Sequence, residues 1–485
     1  MIPASLLIIL IPLVAAAPAY VLRRWRLIEA FVAAVACGLV IIILARPLDS
    51  VLTLGGLSID AHTTVNVLGR TLAIRSSDQM PLILLFIMAA ILFLLGWVVS
   101  EDWTYVPVGL GIMALLTAGL LIRPFVFAGL AFVAAAALGT IMAQAERSGQ
   151  TSTSGALRYL VVNTLALPAF LGAGYVVSQA SNLSDATAQA AAYGPAVTLL
   201  TIGLVLIFGA FPLYTWTHQV SREAPPMAVA FLATVASGAA SFLFLALLQD
   251  FTWFRDSTDM ISLIKIIGVV TLLLGGLLGW AQRSFGRVIA CGISVEIGCM
   301  LILLSRGTAL SVEALAFDLL ARSLSLGVLG LGVTLIQRAA GSDEFAAITG
   351  FGRKHAWAAI AIAAGGLSLA GIPGTAGFVS RWATARVIGQ TDLELLTITM
   401  LAGASIGIGV VRGLAALFAP APEQAAESAP QMNVLLALPA GRSTKQRSTA
   451  IAIVVAVGLI VVLGVAPGIT EPVTRAIAQN YTFYK

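Results

Sequence analysis

The chain has 485 residues, of which 59% are apolar and only 10% charged, and its mean hydropathy is +1.00. Soluble domains carry about 25% charged residues, so an ordinary water-facing surface is excluded, and low charge with high apolar content excludes disorder. The net charge of +5 comes from basic residues scattered singly or in short clusters such as Arg23, Arg24 and Arg26. No phosphate-binding patch results, so a lipid bilayer is the expected partner and nucleic acid is not.

A spanning helix needs about 20 apolar residues. Runs of that kind lie near 4–22, 27–45, 80–99, 106–122, 124–143, 157–178, 194–216, 225–248, 261–280, 286–304, 310–337, 356–388, 395–418 and 449–467. They predict an all-α polytopic membrane protein with about fourteen transmembrane helices. The first run has no charged leader region and reads as a retained helix. Pro47–Gln79 alternates polar and β-branched residues around Gly55, Gly56 and Gly69, which predicts an extramembrane hairpin. The implied organisation is N-terminal helices with that hairpin (1–105), one helical block (106–248), a second (261–418), an Ala/Pro-rich loop (419–448), and a last helix with its tail (449–485). Tyr481, Phe483 and Tyr484 suit a membrane interface.

An even number of spans puts both termini on one side. More Lys and Arg fall in the loops of the opposite side, among them Arg23, Arg24, Arg26, Arg147, Arg283 and Arg353. That bias predicts a multi-pass protein of a bacterial plasma membrane with both termini outside the cytoplasm. Cys37, Cys291 and Cys299 lie in apolar runs without a CxxC pair and read as buried thiols. Gly407, Gly409 and Gly413 lie inside an apolar run that follows no strand. They read as small-residue helix packing, not a phosphate loop.

Two runs contain helix breakers: Gly209 and Pro212 in one, and Gly371, Pro373, Gly374 and Gly377 in the other. Proline removes a backbone hydrogen bond and clashes with the preceding turn. Unwound backbone at membrane depth is tolerated only inside protein or beside a watery cavity. Each broken run is the fourth of a five-helix block, spans 4–8 and spans 9–13. Blocks with an odd number of helices have opposite topology, so the pattern predicts two inverted five-helix repeats, each with one broken helix.

Ionisable residues inside the spans are few. Glu296 reads either as a proton-binding carboxylate or as the partner of an arginine at a helix contact. Asp318 and Arg322 stand four apart and are expected to pair on their helix. The sharper alternative joins Glu296, Asp318, Arg322 and Arg381 in one polar axis, with the arginines permanently charged. Arg412 is expected to snorkel or pair with an acid, and Lys265 to snorkel. His218 reads as a polar histidine at a helix end or as a proton relay. His62 and His355 are loop residues without a signal.

The segment Phe211-Pro212-Leu213-Tyr214-Thr215-Trp216, followed by Glu223-Ala224-Pro225, resembles a signature of the antiporter-like membrane subunits of complex I, whose relatives include Mrp cation antiporters and membrane-bound hydrogenases. Ser368-Leu369-Ala370-Gly371-Ile372-Pro373-Gly374-Thr375-Ala376-Gly377-Phe378 resembles a second signature. Arg287-Val288-Ile289-Ala290 with Ser294 and Gly298 is a weaker third. The resemblance implies two inverted repeats, each an antiporter-like unit with a broken helix. The length and Arg381 lean toward the N-type subunit. Residue by residue, this sequence departs from the family's proton path. Ala131 stands at the fifth-span glutamate, Ile207 at the seventh-span lysine and Gly238 near the eighth-span lysine. Glu296 stands at the usual histidine and Ser325 near the next lysine, and only Arg381 keeps a charge at the twelfth-span position.

The resemblance implies an antiporter-like membrane-arm subunit of an NADH:quinone oxidoreductase, coupled to proton translocation and flanked by other membrane subunits. No cofactor is expected in this chain, and quinone and electron-transfer chemistry falls to its neighbours. The alternatives are a non-conducting structural subunit of such a complex, an Mrp-type cation antiporter subunit, or a membrane partner in a hydrogenase-like or inorganic-carbon uptake complex.

Overall fold

Apolar runs in a bilayer satisfy their own backbone only as helices or closed barrels, and this chain uses helices. The computed structural model describes residues 2–47, 51–54, 57–60, 63–67, 69–99, 104–144, 153–420 and 442–483. His62, the Gly55–Gly56 pair, Tyr484 and most of the expected 419–448 loop lie outside the described residues.

The N-terminal part holds α1 (Ala4–Val21), α2 (Arg26–Leu44), α3 (Ser76–Val99) and α4 (Tyr105–Leu121). Between α2 and α3, β2 (Val51–Leu54) pairs antiparallel with β3 (Leu57–Asp60), to which β1 (Ile2–Pro3) adds in parallel. A second antiparallel pair, β4 (Val65–Val67) and β5 (Arg70–Leu72), turns at Gly69 (φ 74°) and is extended by β6 (Ile122–Arg123). The stretch expected to form one hairpin therefore forms two, each completed by a strand from elsewhere. Residues 76–79 belong to α3 instead, because the Asp78 carboxylate accepts the Arg75 main-chain N–H at 3.1 Å and starts the helix early.

The next block contains α5 (Ala128–Ala143), α6 (Ser154–Thr164), α7 (Ala166–Ala180), α8 (Ala186–Ala192), α9 (Gly194–Phe208), α10 (Thr215–Glu223), α11 (Pro226–Phe231) and α12 (Ser237–Asp250). The span expected over 157–178 is α6 followed by α7 with a single turn residue, Leu165, between them, together one apolar stretch, Ser154–Ala180, long enough to cross a membrane. A π-helical turn, Leu232–Ala236, joins α11 to α12. The last block contains α13 (Thr252–Arg255), α14 (Thr258–Gly279), α15 (Phe285–Arg306), α16 (Ala309–Ala340), α17 (Phe351–Lys354), α18 (Ala356–Ala370), α19 (Ala376–Gly389) and α20 (Leu393–Phe418). After 420 the described chain resumes with α21 (Arg442–Val465) and the amphipathic α22 (Glu471–Asn480). Helix thus claims Arg442–Ser448 from the expected loop. Tyr481, expected in an interfacial tail, is buried and packs against Phe483.

Among the described residues, twelve helices are long and apolar enough to cross a membrane, and α4 and α18 are shorter apolar helices. The chain is an all-α polytopic membrane protein. Its centre is α15 and α16, with α11, α12 and α3 around them. α15 is buried along its length, while α1 and α21 face outward. Lipid tails give helices no hydrophobic reason to associate, so close backbone approach carries the packing. α14 and α15 meet at Gly268 and Gly298, where a Cβ on Gly298 would stand 2.7 Å from the Gly268 carbonyl oxygen. Gly409 meets the Gly279 carbonyl in the same way, so the glycine spacing in α20 serves packing. α16 starts with a reciprocal cap, in which the Thr308 hydroxyl accepts Ser311 N–H (3.2 Å) and the Ser311 hydroxyl accepts Thr308 N–H (3.0 Å).

Candidate functional site

The runs that hold Gly209–Pro212 and Gly371–Pro373 are interrupted in the same manner. α9 ends at Gly209 (φ 66°, ψ 35°), and α18 ends at Gly371 (φ 82°, ψ 36°). In the first, Gly209 N–H bonds to Leu206 (3.1 Å) and Ala210 N–H to Val205 (3.3 Å). In the second, Gly371 N–H bonds to Ser368 (2.9 Å) and Ile372 N–H to Leu367 (3.0 Å). Both are Schellman ends, which need a left-handed residue that glycine supplies without strain. Each helix before its break has 15 residues. That is about 22 Å of rise, although α8 leads directly into α9, so the apolar helical stretch before the first break, Thr187–Phe208, has 22 residues.

Side chains from neighbouring helices satisfy part of the opened backbone. Thr271 of α14 accepts the Phe211 N–H at 3.0 Å. At the second break, Ser368 accepts the Gly377 N–H (3.1 Å) and the Ser325 hydroxyl (2.7 Å), which ties α16, α18 and α19 together. The turns themselves reach the surface of the chain: Phe211 is 39% exposed and Ile372 42%. Within this single chain the breaks are therefore only partly enclosed by protein.

The buried charges converge beside the second break. Arg381, in the second turn of α19, directs Nη2 to Glu296 Oε1 of α15 at 2.5 Å. It also donates to the Leu369 main-chain oxygen (3.3 Å) and to Cys299 Sγ (3.1 Å). Glu296 is 5% exposed and Arg381 7%. A carboxylate and a guanidinium at this depth are costly unless paired, and the pair meets that requirement. Ser380, next to Arg381, donates its hydroxyl to Asp318 Oδ1. Asp318 and Arg322 do not form the expected intrahelical pair. Arg322 leaves the Asp318 side and reaches α12 and α15, where Nη2 lies 2.5 Å from Ser237 Oγ and Nη1 2.7 Å from Met300 Sδ. The fold thus brings Glu296, Asp318, Arg322 and Arg381 together in one buried cluster that runs from α12 across α15 and α16 to α19.

His218 lies apart on α10, edge-on to Tyr214 with ring centroids 5.5 Å apart, and its described contacts do not reach the cluster. Its Nε2 is buried without a hydrogen-bond partner among the described residues. Lys265 reaches the connection before α20, where it pairs with Asp392 at 2.8 Å and shares that carboxylate with Arg306 at 2.5 Å. Arg412, expected to snorkel or to pair with an acid, is exposed and donates to the Trp280 main-chain oxygen. Hydrocarbon fills the first block where charges might have stood. Ile207 is buried, and a side chain at Gly238 would meet Leu85 at 3.0 Å, Leu319 at 3.4 Å and Met88 at 3.6 Å.

Sequence reasoning missed Ser237, Cys299, Met300 and Ser380 as members of the cluster. A signal existed for the first: Thr234, Ser237 and Ser241 recur at helical spacing, a polar stripe along an apolar helix. Nothing comparable marks the two sulfur residues.

Known proteins share the sequence and the fold of this chain. The chain is 27% identical over 337 residues to NADH-quinone oxidoreductase subunit N 1 of Solidesulfovibrio magneticus, covering 68% of this chain and 67% of that protein. It is 26% identical over 274 residues to NADH-quinone oxidoreductase subunit N of Alkalilimnicola ehrlichii, which is 54% of this chain but only 56% of that relative's length. Its fold is shared with a chain of the archaeal membrane-bound sulfane sulfur reductase (TM-score 0.75, 16% identity, 98% and 97% of the two chains). It is shared too with a chain of respiratory complex I from Thermus thermophilus (TM-score 0.70, 20% identity, 97% and 99%). A family model described as NADH:quinone oxidoreductase/Mrp antiporter, transmembrane, matches residues 125–407, a span that holds both broken helices and the whole buried cluster, and the chain belongs to that family.

Proposed function

We propose that the chain is an antiporter-like membrane-arm subunit of a complex I-type NADH:quinone oxidoreductase, nearest the N-type, in which the second of two inverted repeats takes part in proton translocation. The observation that carries this reading is the buried Glu296–Arg381 pair, beside which Ser380 bonds Asp318 and Arg322 bonds Ser237. Proton movement through a bilayer needs interior titratable groups. Here the carboxylates of Glu296 and Asp318 can bind and release a proton, while Arg322 and Arg381 stay charged and set the field around them. The electron-transfer steps belong to other subunits.

Membrane partners follow from the breaks. Irregular backbone within the bilayer requires protein or water around it, and the turns at Phe211 and Ile372 leave part of that cover to a neighbour. The bias of Lys and Arg among the loops favours a reading with both termini outside the cytoplasm of a bacterial plasma membrane.

Replacing Glu296 by Gln in the reconstituted complex tests the transport role. Protons moved per electron should fall while quinone reduction continues, and an unchanged ratio would remove Glu296 from the mechanism. One observation favours a second reading, a non-conducting spacer: the fifth span, Phe125–Ala143, carries no ionisable side chain, and the space at Gly238 is closed by Leu85, Leu319 and Met88. Under that reading Glu296→Gln leaves pumping intact and weakens only the packing of α15 against α19.

A further inference from the structure

Asp318 and Arg322 lie one helical turn apart on α16, fully buried and oppositely charged. Side chains four residues apart on a helix have Cβ atoms about 5–6 Å apart, well within the reach of an arginine. Yet the guanidinium is turned away, toward the hydroxyl of Ser237 and the thioether of Met300. Both are neutral acceptors, and the thioether is a weak one. Two polar atoms are left over among the described residues: Arg322 Nε and Asp318 Oδ2 are buried without hydrogen-bond partners. A donor of Arg322 and an acceptor of Asp318 thus lack partners on adjacent turns of one helix, with the Asp318 carboxyl standing beside that of Glu296.

Ser237 is placed to hold the guanidinium at the far end of this reach. It directly follows the π-helical turn Leu232–Ala236, and its own hydroxyl donates to the Ala233 carbonyl at 2.5 Å. Its lone pairs therefore face the arginine, and no charge on α12 binds the guanidinium permanently. Single-turn π segments of this kind are frequent at functional sites.

We propose that Arg322 is a two-position charge. In the conformation seen, it rests on Ser237 of the first block. In the other, it closes on Asp318 of its own helix and brings the two leftover atoms within bonding distance. The inference deepens the transport reading and rests on it. A guanidinium that never loses its proton would carry positive charge between the two halves by rotating, and so change the field at Asp318 and Glu296 without relaying a proton itself. Ser237 and Asp318 are its two holders.

Three variants of the intact complex in lipid nanodiscs test this by electron cryo-microscopy at side-chain resolution. Ser237→Ala should place the guanidinium on the Asp318 carboxylate, Asp318→Asn should leave it on Ser237, and Ser237→Thr, which keeps the hydroxyl, should match the wild type. A guanidinium that still points to α12 in Ser237→Ala would overturn the proposal, whatever the complex pumps. In proteoliposomes, protons moved per electron should drop severalfold in Ser237→Ala and Asp318→Asn and be retained in Ser237→Thr. If Arg322 moves as expected and the ratio is unchanged in all three, the two positions stand and the transport reading fails.

Discussion

Replacing Arg381 by Met strips Glu296 of its partner and leaves a carboxylate that is 5% exposed inside a membrane protein. The main-chain bond to Leu369 and the contact to Cys299 disappear with it. Removing one member of a buried ion pair costs about 3–5 kcal/mol, because the other charge stays behind. Glu296→Gln should cost less, roughly 1.5–3 kcal/mol, since the amide oxygen still accepts from Arg381 but the charge that strengthened that bond is gone. Replacing both residues by apolar ones of similar volume, Glu296→Leu with Arg381→Met, removes the desolvation cost together with the attraction, so the double variant should be more stable than Arg381→Met alone. Unfolding in mixed micelles of rising SDS fraction, read as a double-mutant cycle, measures the coupling. If the separate effects of Glu296→Leu and Arg381→Met add up to that of the double variant to within about 0.5 kcal/mol, the pair is not an energetic unit.

Other perturbations probe the frame around the cluster. Thr271→Val keeps the shape but orphans the Phe211 N–H, and should cost about 1–3 kcal/mol in the same unfolding assay. Ser368→Ala should cost more than Ser325→Ala, because only the first leaves the Gly377 N–H without its acceptor. Gly377→Ala should prevent the two halves of the broken helix from meeting, since its Cβ would lie 1.7 Å from the Ser368 carbonyl oxygen. Gly209→Ala adds a left-handed strain to a Cβ 2.4 Å from the Trp216 indole nitrogen. Both glycine variants should reduce the yield of folded protein, and size-exclusion profiles in detergent would reveal it. Hydrogen bonds from Lys265 and then Arg306 hold the Asp392 carboxyl below its usual range. A folded value below the unfolded one makes the contribution present above about pH 4 and lost as pH falls through the depressed value. Wild type should therefore show an acid-induced loosening of the α14–α15–α20 ends, followed by hydrogen exchange, that Asp392→Asn lacks at every pH.

Fourteen apolar runs, two matched sets of helix breakers and a scarcity of interior charge were legible in the residues alone. Hydropathy and proline act locally: a bilayer forces each long apolar run into helix, and a glycine followed by proline ends that helix whatever surrounds it. Local signals also placed Glu296 and Arg381 as the charges of interest. They could not decide between a proton-binding carboxylate and an arginine pair, because the two residues lie on different helices.

Tertiary packing decided the partners. The i, i+4 rule expects Asp318 to hold Arg322, yet the approach of α12 and α15 offers Ser237 and Met300 within reach and draws the guanidinium away. Lys265 meets Asp392 at a helix end, a partner that hydropathy alone does not name. Arg412 finds the Trp280 carbonyl because α20 crosses the end of α14 at that level. A single chain of letters records which side chains need a partner. Which partner each one finds depends on distances between helices far apart in sequence, and those are set only when the whole bundle closes.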